Sequence, residues 1–417
     1  MQHQQPSAAV LAFSGMIALA VAMGIGRFAF TPLLPMMQQD AGLELAQAGW
    51  LAGANYLGYL VGALAAGALP WSVATQLRVG LAGVALTTAL MAIGDSWTAW
   101  AAWRFIAGLG SAIVLVSTAT LCMGRLAAMG KSNKAGIVFA GVGAGIALAG
   151  LLSMGLALAH VSSSTAWLVM GLMALLGTIA ARRLWGSPAS TSTSFRSTVP
   201  VPKSSGQSAT DTDLPAQQAP SGESAHSVLL RHWRMIACYT SFGFGYILPA
   251  TFLPAQARQL VSDPAVFGLA WPVFGIAAAA STLVTSRLLQ AFSRRKIWIV
   301  SQLIMAVGVL LPALWTSIVA IVIAALCVGG TLLVITMIGM QEAQARGGAH
   351  ARILTAAITT AFALGQLIGP IFFSVIHDWL GVSLAVALQL ASAVLVLGVF
   401  FLLRPFPSAP SLAAPFH

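Results

Sequence analysis

Twelve apolar runs, each about 20 residues long, follow one another along the chain with almost no charge inside them. A run of that length spans the hydrocarbon core of a bilayer as a helix. The expected spans are 8–31, 47–69, 79–94, 98–122, 135–159, 165–185, 233–256, 266–290, 297–316, 318–341, 354–376 and 380–403. The run from Ile297 to Met340 is too long for one span, and Pro312 with Trp315, Thr316 and Ser317 supplies the break. Charged residues make up 7% of the 417 and apolar residues 58%, against about 25% charged in a soluble domain. A water-facing surface cannot be built from so few charges, which excludes disorder and a disulfide-stapled secreted module as well. The expected fold is therefore an all-α polytopic membrane protein with twelve transmembrane helices. Cys122, Cys238 and Cys327 lie in or at the ends of apolar runs without metal-ligand spacing, and read as small buried hydrophobes. The first apolar run is too long for a signal-peptide core and reads as a retained span.

Charge placement supports the count. With the N-terminus inside, the inner segments carry 17 of the 20 basic residues, among them Arg78, Arg125, Arg182, Arg183, Arg294 and Arg352. The outer segments carry only Arg258, while Asp40, Glu44, Asp95, Asp263 and Asp378 fall outside. That asymmetry obeys the positive-inside rule and places both termini in the cytoplasm. It also explains the net charge of +11 without nucleic acid as a partner.

Residues 186–230 are rich in Ser, Thr, Pro and Gln and have no apolar period, the composition of a flexible cytoplasmic linker. The expected domains are an N-terminal six-helix bundle (1–185), the linker (186–230) and a C-terminal six-helix bundle (231–417). The two halves echo each other: Gly24, Gly26, Leu34 and Pro35 recur 219 residues later as Gly243, Gly245, Leu253 and Pro254, and Gly110 and Gly150 recur as Gly329 and Gly369. Six spans per half make this a parallel repeat.

The 6+6 layout resembles the major facilitator superfamily. WRFIAGLGSA (103–112) looks like its fourth-span motif, and GIGRFAFTPLLPMM, GFGYILPATFLPAQA and ALGQLIGP (363–370) resemble the YbfB/YjiJ branch. The resemblance covers nearly the whole chain outside the linker, and implies a bacterial inner (plasma) membrane. The chain departs from the pattern in the loop GALPWSVATQLRVG (67–80), which has no acid, in the matching loop 286–296, where Gln290 replaces an acid, and in the fifth span, which lacks the antiporter proline.

Arg27 and Arg104 sit inside spans, and no Asp or Glu lies well inside any span to neutralise them. A cation at a helix centre costs roughly 2.5–3.5 kcal/mol on insertion scales, so both are expected to bind substrate, a carboxylate that accepts a bidentate pair of hydrogen bonds. Snorkelling of Arg27 to the outer interface and a structural role for Arg104 are the alternatives. Asn55, four residues before Tyr59, Tyr239, seven before Tyr246, and Gln366 are further substrate-binding candidates, with interhelical bonding as the competing reading. Pro32, Pro35, Pro249 and Pro254 interrupt the helical ladder at matching places and are expected to mark hinges or helix breaks. The glycines of the fifth span read as close packing, and Glu342 as a surface ion pair with Arg346.

No metal-ligand cluster, nucleophile triad or phosphate loop is present in the sequence, so an enzyme and a cofactor are not expected. The expected function is a secondary transporter of a small organic anion working by alternating access, with the substrate and the lipid bilayer as partners. Proton symport through Asp40, Glu44 or Glu342 fits the charges as well as uniport or exchange. The alternatives are a hydrophobic-drug or metabolite efflux pump and a non-transporting membrane sensor.

Overall fold

The computed structural model describes residues 7–94, 96–185, 224–260 and 264–407. The side chains of 251–270, and therefore Thr251 and Pro254, lie outside that description, as do Asp95, Asp263 and the linker up to residue 223. The described residues form helices and turns, with no strand among them.

The first apolar run becomes α1 (Ala8–Leu19), one π-helical segment (Ala20–Ile25), a turn, and α2 (Phe30–Asp40). There follow α3 (Leu45–Ala68), α4 (Val73–Leu90), α5 (Trp97–Ala128), α6 (Ala135–Leu158) and α7 (Ser163–Ala180). Beyond the linker come α8 (Ala225–Arg231), α9 (Trp233–Leu260), α10 (Pro264–Leu288), α11 (Arg294–Leu314), α12 (Ile318–Arg346), α13 (Ala351–Leu380) and α14 (Leu384–Phe400). Nine of the twelve expected spans are helices long and apolar enough to cross a membrane among the described residues. Helices α9, α10 and α14 occupy the places of the other three. The expected break after Pro312 falls between Leu314 and Ile318. The linker ends sooner than its composition suggests, because Ser224 caps α8 by accepting from Ser227. Serines likewise cap the starts of α4, α7, α11 and α14, accepting amides that the first helical turn leaves without a partner.

The outward faces are apolar. Leu86, Leu158, Leu168, Val307 and Leu397 are exposed, as a lipid-facing surface requires. Polar groups that point inward find partners across helices. Gln76 donates to the Ala66 carbonyl at 3.3 Å and accepts from Ser117 at 2.8 Å, and Gln302 donates to the Leu395 carbonyl at 3.0 Å. Glu342 is buried rather than at the surface. It holds Arg346 at 2.5 Å, as its spacing suggests, and also Arg294 of α11 at 3.1 Å. Asp40 accepts from the amide and hydroxyl of Ser163 at the start of α7.

The packing repeats with the sequence. Gly24 lies against Gly145 where the first span meets α6, and its counterpart Gly243 lies against the Phe362 carbonyl where α9 meets α13. Helices from before and after the linker meet most extensively along two lines, α6 with α10 and α3 with α13. The first line is a glycine seam. A methyl group on Gly143 would run into the Ala279 amide, and one on Gly275 into the Ala147 amide. Thr282 of α10 donates to the Gly136 carbonyl at 3.1 Å on the same line. At the turn between the π-helical segment and α2, Trp271 of α10 donates to the Phe28 carbonyl at 3.2 Å.

This seam predicts the effect of bulk. Gly143→Val overpacks it, a change that costs about 1–3 kcal/mol, and lowers the thermal unfolding midpoint. Gly83→Val, where an added Cβ meets nothing within 4 Å, leaves the midpoint unchanged. Equal midpoints in the two variants would contradict the close approach.

Candidate functional site

The first span does not stay a regular helix because its hydrogen-bond ladder slips. Gly26 and Phe28 donate five residues back, to Val21 and Met23, at 2.9 and 3.1 Å. Thr31 donates to Phe28 instead of Arg27, and Pro32 has no amide to give to Phe28. The carbonyls so released are taken from other helices. Arg104 of α5 donates from Nη1 to Gly26 and from Nη2 to Arg27, both at 3.1 Å. The Ser111 hydroxyl sits 2.5 Å from the Ala22 carbonyl, and Trp271 adds a second donor to the Phe28 carbonyl.

The ladder opening precedes the prolines. Pro32 and Pro35 lie inside α2, and α9 runs continuously through the positions of Pro249 and Pro254. Of the four expected breaks, the first span is interrupted at 26–29, directly before Pro32, while the positions of Pro35, Pro249 and Pro254 lie within continuous helices. A proline in a helix withholds its bond from the residue four earlier, so the opening of the first span appears a turn before Pro32.

The opened turn places Arg27 between the two sets of helices. Its Nη2 donates to Gln366 Oε1 of α13, while Nε and Nη1 are buried without a hydrogen-bond partner among the described residues. Arg27 is 4% exposed and Gln366 1%, so Arg27 does not snorkel. Its guanidinium lies 4.0 Å from the centre of the Tyr59 ring, 5.3 Å from Tyr56 and 5.8 Å from Phe28. These negative ring faces stabilise the cation, but no carboxylate neutralises it: among the described residues Asp40, Glu44 and Glu342 lie at helix ends.

Arg27, Tyr59, Tyr239, Tyr246 and Gln366 line a central cavity of about 30 Å³. Thr336 and Thr359 add hydroxyls, and Met23, Leu115, Val142 and Phe362 supply much of the apolar wall. A cavity needs about 10–15 Å³ by this kind of measure to hold one water, so this state has room for water and not for a metabolite. Tyr239 spans the wall and places its hydroxyl 3.0 Å from the Thr336 carbonyl and 3.1 Å from that of Ile335. Tyr246 stacks on Phe362, and it stands 219 residues after Arg27, at the same place in the repeat.

Two sequence-based candidates do not line this cavity. Arg104, 3% exposed, spends both terminal nitrogens on backbone and rests against the Phe30 ring at 4.9 Å. Asn55 donates to the Arg104 carbonyl at 2.9 Å, which ties α3 to α5. Their polarity repairs main chain in a medium without water. Sequence reasoning also missed Met23, Leu115, Thr336, Thr359 and Phe362, whose residue types carry no signal inside apolar helices. A spacing signal did exist for Tyr59, one helical turn from Asn55.

The two arginines therefore differ in what their loss does to stability. Arg104→Met strands two carbonyls, at about 1–3 kcal/mol for each, and lowers the unfolding midpoint. Arg27→Met removes a buried charge that lacks a counter-ion and leaves the midpoint unchanged or raises it. Thermal unfolding of the purified variants checks the order, and the reverse order would refute these roles.

Comparison with known proteins agrees with this architecture. A family model described as "Uncharacterised MFS-type transporter YbfB" matches residues 19–403. The uncharacterized MFS-type transporter YceJ of Bacillus subtilis is 34% identical over 94 residues, 22% of this chain and 24% of that protein. The uncharacterized MFS-type transporter YcaD of Salmonella gallinarum is 29% identical over 119 residues, 28% of this chain and 30% of that protein. The chain thus spans less than a third of the length of these curated relatives in the matched regions. The crystal structure of the human organic anion transporter MFSD10 (TETRAN) superposes with a TM-score of 0.69 at 16% identity, covering 95% of this chain and 100% of that one. At that identity the likeness is one of fold.

Proposed function

The chain belongs to the family of YbfB-type MFS transporters, and from that membership we propose that it is a secondary active transporter of a small organic anion. It works by alternating access between two six-helix bundles, 1–185 and 231–417, joined by the linker. It resides in a bacterial inner membrane with both termini cytoplasmic, as the basic residues suggest.

One observation carries the choice of an anion. Arg27 holds a buried positive charge on the line between the bundles, and among the described residues two of its nitrogens are unpartnered and no carboxylate lies beside it. A charge kept in so costly a place calls for a counter-charge that comes and goes with the transport cycle. The organic-anion title of MFSD10 is in keeping with this reading. Rocking the bundles about the cavity exposes Arg27 to one side and then the other. The seam of α6 and α10 and the contact of α3 with α13 are the surfaces that part. Asp40, Glu44 and Glu342 stand away from the cavity, so proton symport, uniport and exchange are distinguished by flux measured with and without a pH gradient.

Proteoliposomes test this reading. Wild-type protein accumulates or exchanges a radiolabelled organic anion, and Arg27→Gln loses at least about 90% of that flux, the consequence of a lost charge-assisted bond of about 1.5–3 kcal/mol. Arg27→Gln must elute as the same monodisperse species as the wild type. Wild-type flux in the variant would refute the anion reading, and binding without flux in the wild type would favour a sensor.

A further inference from the structure

We propose that the central cavity selects a singly charged carboxylate on an apolar body, and that this carboxylate displaces Gln366 from Arg27. The inference rests on the transporter reading and narrows its substrate class.

The charge inventory sets the limit of one. Arg27 is the sole charged residue lining the cavity among the described residues. The second buried guanidinium, Arg104, is committed to the Gly26 and Arg27 carbonyls and stays out of the lining. One carboxylate makes the cavity neutral. A second would be buried with no counter-charge, which is costly in a wall of this kind.

The donor inventory favours a charged ligand. The hydroxyls of Thr336 and Thr359 donate to the Leu332 and Thr355 carbonyls, each at 2.8 Å. The Tyr239 hydroxyl donates into the α12 backbone. These three groups have spent their protons on helix carbonyls, so the donors left to a ligand are those of Arg27, the Tyr59 and Tyr246 hydroxyls and the Gln366 amide, and only Arg27 among them is charged. A guanidinium offers a carboxylate two edges, Nη2 with Nε or Nη2 with Nη1. Both companions, Nε and Nη1, are unpartnered here, and Gln366 holds only the shared Nη2.

Gln366 thus stands where the ligand's oxygen would stand. Its amide oxygen is a neutral acceptor that occupies the cation while the cavity is collapsed. A carboxylate oxygen is the stronger acceptor and takes over Nη2 together with its neighbour. Because Arg27 and Gln366 come from opposite sides of the seam, that exchange also releases a bond between the bundles. The remaining wall, with Met23, Leu115, Val142, Leu332, Met340 and Phe362, receives the apolar body.

Calorimetric titration of the full-length purified protein at pH 7.5 tests the inference with four matched probes. Benzoate carries one charge and a ring. Phthalate adds a second charge, benzamide removes the charge, and acetate removes the ring. Benzoate is expected to bind at least about tenfold more tightly than each of the others, the scale of a single ion pair gained or a charge stranded. Its binding is lost in Arg27→Gln and strengthened severalfold in Gln366→Leu, which removes the competing acceptor. Phthalate binding as tightly as benzoate, and lost in Arg27→Gln, would overturn the single-charge inference while leaving the anion reading in place. Benzamide matching benzoate, or no anion binding at all, would overturn both. Weaker benzoate binding in a folded Gln366→Leu would overturn the displacement and make Gln366 a direct ligand.

Discussion

The carbonyls of Gly26 and Arg27 are claimed by a side chain of another helix, and the rest of the central structure depends on that claim. In a bilayer no water is at hand to satisfy an opened helix. Arg104 does so with two hydrogen bonds, and Asn55 in turn holds the Arg104 backbone. With the slipped turn repaired in this way, the first span can carry Arg27 inward without unravelling. One buried arginine serves the main chain so that the other is left with free donors.

The same logic accounts for the glycines. In the proposed transport cycle the bundles meet closely and part again. Gly143 and Gly275 bring α6 and α10 into backbone contact, and a polar bond, Thr282 to Gly136, lies on the same line. Trp271 to Phe28 ties α10 to the opened turn itself. Small residues let α6 and α10 come into this close contact.

Much of this was legible in the sequence because lipid imposes a coarse code. Run length marked the spans, and Pro312 with Trp315–Ser317 marked the break between α11 and α12. Arg27 and Gln366 stood out because polar groups are expensive in such runs, and the structure brings these two together. The same polarity rule failed to separate Arg27 from Arg104. A guanidinium that binds backbone and one that keeps free donors look alike until the hydrogen-bond ladder is seen. Pro32 was visible, but the bond it withholds belongs to Phe28, so the opening lay a turn earlier than the proline. Met23, Val142 and Phe362 could not be told from lipid-facing residues, since cavity and bilayer are both apolar. The 219-residue repeat held a further clue, for it sets Tyr246 in the register of Arg27.

The central claim is that Arg27 is the anchor of a substrate anion between the bundles. A structure of the full-length protein with 4-iodobenzoate tests it most directly, because the iodine marks the ligand unambiguously. The account predicts the carboxylate about 2.7–2.9 Å from two nitrogens of Arg27, Gln366 turned away, and the ring among Met23, Leu115 and Phe362. Ligand bound elsewhere, with Arg27 still on Gln366, would contradict it.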